Sequence, residues 1–114
     1  MTDHSESRAE LNAFNDDLTT FADDTSELKQ FLSFVETTES DGALDRKTKE
    51  LLSLAIGVAV HCDPCILWHT DAALEAGATS EELTEALSVA VVMGGGPALA
   101  YAARAYRVQR ELQE

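Results

Sequence analysis

Apolar residues recur at helical spacing through almost the whole chain, and nowhere do they alternate with period two for long enough to make a strand. That leaves helix packed on helix as the architecture. Leu11, Phe14, Leu18 and Phe21 share one face of a predicted helix over residues 8–22. Leu28, Phe31, Leu32 and Val35 form a second face after the capping cluster Asp23-Asp24-Thr25-Ser26, and Gly42 is the expected end of that helix. A third helix is expected from about Asp45 to His61. It is apolar all round from Leu51 to Val60, as befits a buried central element.

Pro64 stands where proline is tolerated, in the first turn of a fourth helix that runs to Glu75 and closes at Gly77. Thr79 and Glu82 make a capping box for a fifth. Gly94-Gly95-Gly96-Pro97 breaks the pattern, and a sixth helix is expected from about Pro97 to Leu112. No Lys-Ser/Thr follows the glycines, so they read as a tight turn rather than a phosphate loop. The expectation is an all-α six-helix bundle with a central helical hairpin. Alanine is dense in the later helices, which lets their axes approach closely. No linker or repeat divides residues 1–114, so one domain is expected, with residues 1–25 as an acidic helical extension.

Charge narrows the partners. The 114 residues hold 21 acids and 8 bases, net −13. Residues 1–45 carry 12 acids and 2 bases, and residues 46–114 carry 9 and 6. Nucleic acid and anionic membrane surfaces are disfavoured, because both need a basic face. Only three lysines occur, Lys29, Lys47 and Lys49; such a composition suits a cytoplasm of high salt, so a halophilic origin is an expectation. The start, MTDHSESRAE, has no apolar export signal, and the longest apolar run, Leu54–Val60, is too short to span a bilayer. A cytoplasmic protein is expected, where lone cysteines normally stay reduced. His4 carries no information.

The chemistry concentrates in His61-Cys62-Asp63-Pro64-Cys65-Ile66-Leu67-Trp68-His69. Both cysteines of the chain lie here as C-x-x-C at a helix start, and His69 follows Cys65 by four residues, on the same face. A helix N-terminus stabilises thiolate, and a neighbouring imidazole can take the thiol proton. A four-residue bridge would be a weak staple, constraining the unfolded chain by only about 2 kcal/mol. The pattern therefore favours a redox-active dithiol. His61, Cys62, Cys65 and His69 are also four potential zinc ligands, although structural sites usually join two separate ligand pairs. His61 otherwise reads as a helix-end residue, and Trp68 as core or subunit interface.

Gly42-Ala-Leu-Asp-x-Lys-Thr-Lys-Glu50, eleven residues, C-x-x-C-x-x-x-H, Ala73-Leu-Glu-Ala-Gly-Ala78 and Met93-Gly-Gly-Gly-Pro-Ala-Leu-x-Tyr101 together resemble the alkylhydroperoxidase D-like, carboxymuconolactone decarboxylase superfamily over about residues 26–106. The resemblance implies an all-α fold around a helical hairpin, assembled as a homotrimer or homohexamer. It also implies a thiol peroxidase or disulfide oxidoreductase centre of Glu50, Cys62, Cys65 and His69. Members that are true decarboxylases generally lack the cysteine pair. Some members place a histidine inside C-x-x-C; here Asp63-Pro64 stands instead, and an acid beside Cys62 opposes thiolate formation there.

The expected activity is reduction of a peroxide or disulfide in antioxidant defence. Cys65 is the attacking thiol because His69 shares its face, and Cys62 is the resolving thiol; the helix dipole alone would favour Cys62. No organic cofactor is implied, and a dithiol electron donor of unknown identity is required. The alternatives are a non-enzymatic zinc-binding or assembly module, and a lactone decarboxylase-like enzyme with His69 or Glu50 as base. Glu50 precedes Cys62 by about 18 Å of helix and His69 lies about 10 Å along the returning one, so a water or a bend near Gly57 is expected to link them. Ile56, Val58, Val60, Ile66, Leu67, Trp68, Val89, Val91 and Val92 are spread round their helices, more apolar surface than one short chain can cover, which adds to the expectation of an obligate oligomer.

Overall fold

The structure is a computed structural model that describes residues 5–113; His4 lies outside them. It is all-α. The helices are α1 (Glu6–Asp24), α2 (Ser26–Thr38), α3 (Arg46–Ala59), α4 (Asp63–Glu75) and α5 (Ser80–Gln113). The count is five rather than six. At the expected break only Gly95 leaves helical dihedrals (φ 68°, ψ −150°), and helical turns continue directly on both sides. A glycine adopts that conformation without a Cβ penalty, so a kink replaces the loop.

Local chemistry explains the other boundaries. Ser5 caps α1 by accepting from the Arg8 N–H, and Asp45 caps α3 by accepting from Thr48. The Thr79–Glu82 box forms in both directions, at 3.1 and 2.9 Å. Two expected ends shift. α2 stops at Thr38 with Glu39 as its C-cap, well before Gly42. α3 stops at Ala59, because His61 takes a left-handed conformation (φ 63°) that no helix continues through.

α3 and α4 form the central hairpin across residues 60–62, and α5 packs along both. Leu54, Val58, Ile66 and Leu83 are at most 1% exposed and make the middle of the core. Burying each stabilises the fold by about 1.5–3 kcal/mol. A Cβ on Gly57 would lie 3.0 Å from the Cys65 Cβ, so this glycine is what lets α3 and α4 meet beside the cysteines. α1 docks on α4 and α5 through the buried Leu11 and an Arg8–Asp71 ion pair of 3.0 Å. The backbone of α2 comes close to that of α1 alone, and none of its residues is buried.

Of the nine apolar residues expected to cover several helix faces, Val58, Ile66 and Leu67 lie in the core of this chain. Ile56, Val60, Val89 and Val92 are exposed. By length and composition α5 alone among the described helices could cross a membrane, a possibility the Leu54–Val60 run did not reveal. Its stripe of Leu87, Ala90, Ala98, Ala102 and Ala105 is buried in the core.

Candidate functional site

Each half of the candidate site is set by one end of the hairpin. At the turn, Cys62 is the N-cap of α4 and Cys65 sits in its first turn. The two are joined in a disulfide, with Cα atoms 5.2 Å apart, whereas a cytoplasmic setting led to an expectation of free thiols. The sulfur of Cys62 accepts the backbone N–H of Cys65 at 3.3 Å. That is the capping contact that favours thiolate when the bridge is open. Both cysteines are half-buried.

One turn further along α4, His69 Nδ1 lies 2.7 Å from Glu50 Oε1. Glu50 is 4% exposed, a carboxylate inside the protein that needs a partner. In the neutral ring, a carboxylate acceptor at Nδ1 selects the tautomer with the proton on Nδ1 and an open lone pair on Nε2. The contact is direct, so the expected water bridge or bend is not needed. The helical rise runs only from Glu50 to Ala59, about 13.5 Å, and from Asp63 to His69, about 9 Å. The turn residues add no rise, and the Glu50 side chain spans the remainder.

A second carboxylate stands beside the first. Glu39 Oε2 is 3.9 Å from His69 Nδ1 and accepts the Ser53 hydroxyl at 2.7 Å. The sequence reading missed both residues. Ser53 was accessible to it, three residues past Glu50 on the same helix face. Glu39 was not, because it reaches the site only through the path of the loop after α2. A cavity of about 510 Å³ opens onto these groups. Leu18, Leu32, Val35 and Trp68 form its apolar wall. Five carboxylates (Glu36, Glu39, Glu50, Asp71 and Glu75) line it together with Arg46 and His69, and neither cysteine does. Trp68 is half-buried between Phe14, at 6.2 Å between ring centroids, and the His69 ring, at 5.5 Å.

The acid beside Cys62 is paired. Arg104 Nη1 lies 2.8 Å from Asp63 Oδ2, which offsets the repulsion expected against a Cys62 thiolate. Arg104 also sits 5.3 Å from the centroid of Tyr101, whose ring stacks on His61 at 4.6 Å. His61 therefore turns to Tyr101 while both sulfurs are bonded to each other. The four candidate zinc ligands do not converge in this state.

The sequence profile of the carboxymuconolactone decarboxylase family matches residues 27–107. The chain belongs to that family. An uncharacterized protein of Cupriavidus necator is 40% identical over 78 residues, 68% of this chain and 69% of that one. A protein of Paracoccus denitrificans, uncharacterized protein 4 in the cox locus, is 39% identical over 82 residues, 72% and 74% of the two chains. Among solved structures, a family member from Legionella pneumophila superposes with a TM-score of 0.89 at 39% identity, covering 96% of this chain and all of that one. A member from Thermotoga maritima, for which an antioxidative role has been suggested, gives 0.83 at 31% identity over 91% and 90%.

Proposed function

We propose that the chain is a thiol-dependent peroxidase or disulfide oxidoreductase in which Cys65 attacks and Cys62 resolves. The observation that carries this reading is the Cys62–Cys65 pair at the α4 N-terminus, one turn from a histidine held by a buried carboxylate. With the bridge open, His69 Nε2 takes the Cys65 proton while Glu50 fixes the imidazole through Nδ1. The Cys65 thiolate attacks the peroxide oxygen and the O–O bond breaks. The leaving alkoxide takes the proton from His69, and Cys65 is left as sulfenic acid. The Cys62 thiolate, favoured by its capping contact, displaces hydroxide from that sulfur and closes the disulfide, and the hydroxide takes up the proton that the Cys62 thiol gave up and leaves as water. A dithiol donor supplies two electrons to reopen it. A disulfide substrate enters at the same thiolate by exchange.

The test is peroxide consumption with dithiothreitol as donor. The reading expects turnover by the native chain and loss of at least about 99% of it in Cys65→Ser, since the thiolate is the nucleophile. Full activity in Cys65→Ser would overturn the assignment, and turnover of a lactone by a chain lacking both thiols would favour the decarboxylase reading instead.

We infer also that copies of the chain associate, as a trimer or hexamer. Leu52, Ile56 and Val60 make one exposed stripe along α3, and Val89, Val92 and Met93 stand 59–80% exposed on α5. Contiguous apolar surface of that kind is rare on monomers. The net charge of −13 opposes association at low salt, so assembly should strengthen as salt screens it. Light scattering across a salt series checks this, and a stable monomer at every concentration would contradict it.

A further inference from the structure

We propose that Glu39, Glu50 and His69 form a site for one divalent transition-metal ion, with Zn²⁺ as the natural probe. One donor atom from each residue lies within 4.8 Å of the other two. They come from three segments, the α2 C-cap, α3 and α4, so the fold rather than local sequence gathers them. Two carboxylates and an imidazole are borderline donors suited to zinc and its neighbours.

The geometry is close to what an ion needs. Ligand atoms at about 2.0–2.1 Å from a tetrahedral zinc stand about 3.3 Å apart. His69 Nδ1 is now 2.7 Å from Glu50 and 3.9 Å from Glu39, one distance short and one long. Reaching the tetrahedral value asks the Glu50 contact to lengthen and the Glu39 contact to shorten by about 0.6 Å each.

Charge and access point the same way. Glu50 is 4% exposed, and among the described residues its Oε2 makes no hydrogen bond although the residue lines the cavity. A carboxylate oxygen that meets the cavity without a protein partner is available as a ligand. Glu39 adds a second negative charge at the same point, with only the Ser53 hydroxyl to satisfy it. The cavity of about 510 Å³ admits a hydrated ion and leaves room for water in the open coordination position.

Metal and proton compete for one nitrogen. On binding, the imidazole proton moves from Nδ1 to Nε2, so the ring stays neutral and the Glu50–His69 hydrogen bond is exchanged for coordination. The ion is thus incompatible with the free Nε2 base of the proposed redox cycle. The site itself does not rest on that cycle, because it is complete in the disulfide form.

The experiment titrates Zn²⁺ into the disulfide form of the full chain by calorimetry. One ion per chain is expected. Glu39→Gln and His69→Gln should each weaken binding at least about tenfold. The Cys62→Ser/Cys65→Ser chain should bind as the native one does. X-ray absorption at the zinc edge of the native complex should show only nitrogen and oxygen neighbours, a readout independent of how any variant folds. Absence of binding, unchanged affinity in Glu39→Gln, or sulfur in the coordination shell would each overturn the site. Because the readout is metal binding, these outcomes leave the peroxidase test untouched.

Discussion

α1–α2 and the α3–α4 hairpin are both helical pairs with apolar residues at helical spacing, yet α2 and the hairpin end in opposite states. Leu28, Phe31, Leu32 and Val35 of α2 repeat as regularly as the apolar residues of α1 and α3. None of them is buried, and Phe31 and Phe34 are 58% and 64% exposed. In the hairpin, Leu54, Val58 and Ile66 have almost no exposure. The difference teaches that periodicity fixes which residues share a face, while the elements available to cover that face decide its burial. α3 and α4 have each other and α5; α2 has only α1. Even so, α2 matters to the site, because Leu32, Val35 and Glu39 wall the cavity from its side.

The largest expected effect tests that contrast directly. Ile66→Ala should cost about 2–5 kcal/mol, as core truncations do. Phe31→Ala should cost about 0.5 kcal/mol or less at low protein concentration, where no second copy covers it. Denaturant melts of both variants measure this, and equal losses would show that α2 is part of the cooperative core.

Helix starts give a finer comparison. Thr79 closes its capping box, so Thr79→Ala should cost about 1 kcal/mol. Thr25, before α2, makes no side-chain cap bond, and Thr25→Ala should leave stability nearly unchanged. The smallest effect is in pH. The Thr79 N–H, and then the Lys47 ammonium, hold the Glu82 carboxyl below its ordinary 4.5. A depressed folded value means that its contribution is present above the unfolded value and lost as pH falls through the folded one. Glu82→Gln should therefore melt below the native chain at neutral pH, with the gap closing between about pH 5 and pH 3. A gap unchanged at pH 3 would contradict the ionic origin.

Much of this was legible in the residues. The all-α class followed from spacing, α3 starts beside Asp45 as expected, and the Thr79 capping box and the proline in the first turn of α4 stand where local chemistry put them. Gly94-Gly95-Gly96-Pro97 predicts a full break where the chain has a kink at Gly95, because sequence marks a glycine's freedom and not how little of it the chain uses. The Glu50–His69 distance was overestimated because the left-handed His61 ends α3 two residues early, a conformation that composition does not announce for a non-glycine residue. Glu39 was invisible because its place depends on where α2 ends and how residues 39–45 return to α3.

The most direct test of the site as a working unit is a double-mutant cycle on Glu50 and His69. The quantity is the single-turnover rate at which the reduced chain closes its Cys62–Cys65 disulfide on adding peroxide, followed by trapping of free thiols. If Glu50 acts through the imidazole it holds at 2.7 Å, Glu50→Gln and His69→Gln should each slow closure by about 10²-fold or more, and the double variant should be no slower than His69→Gln alone. Native-rate closure in Glu50→Gln, or losses that multiply in the double variant, would contradict the carboxylate–imidazole–thiol arrangement.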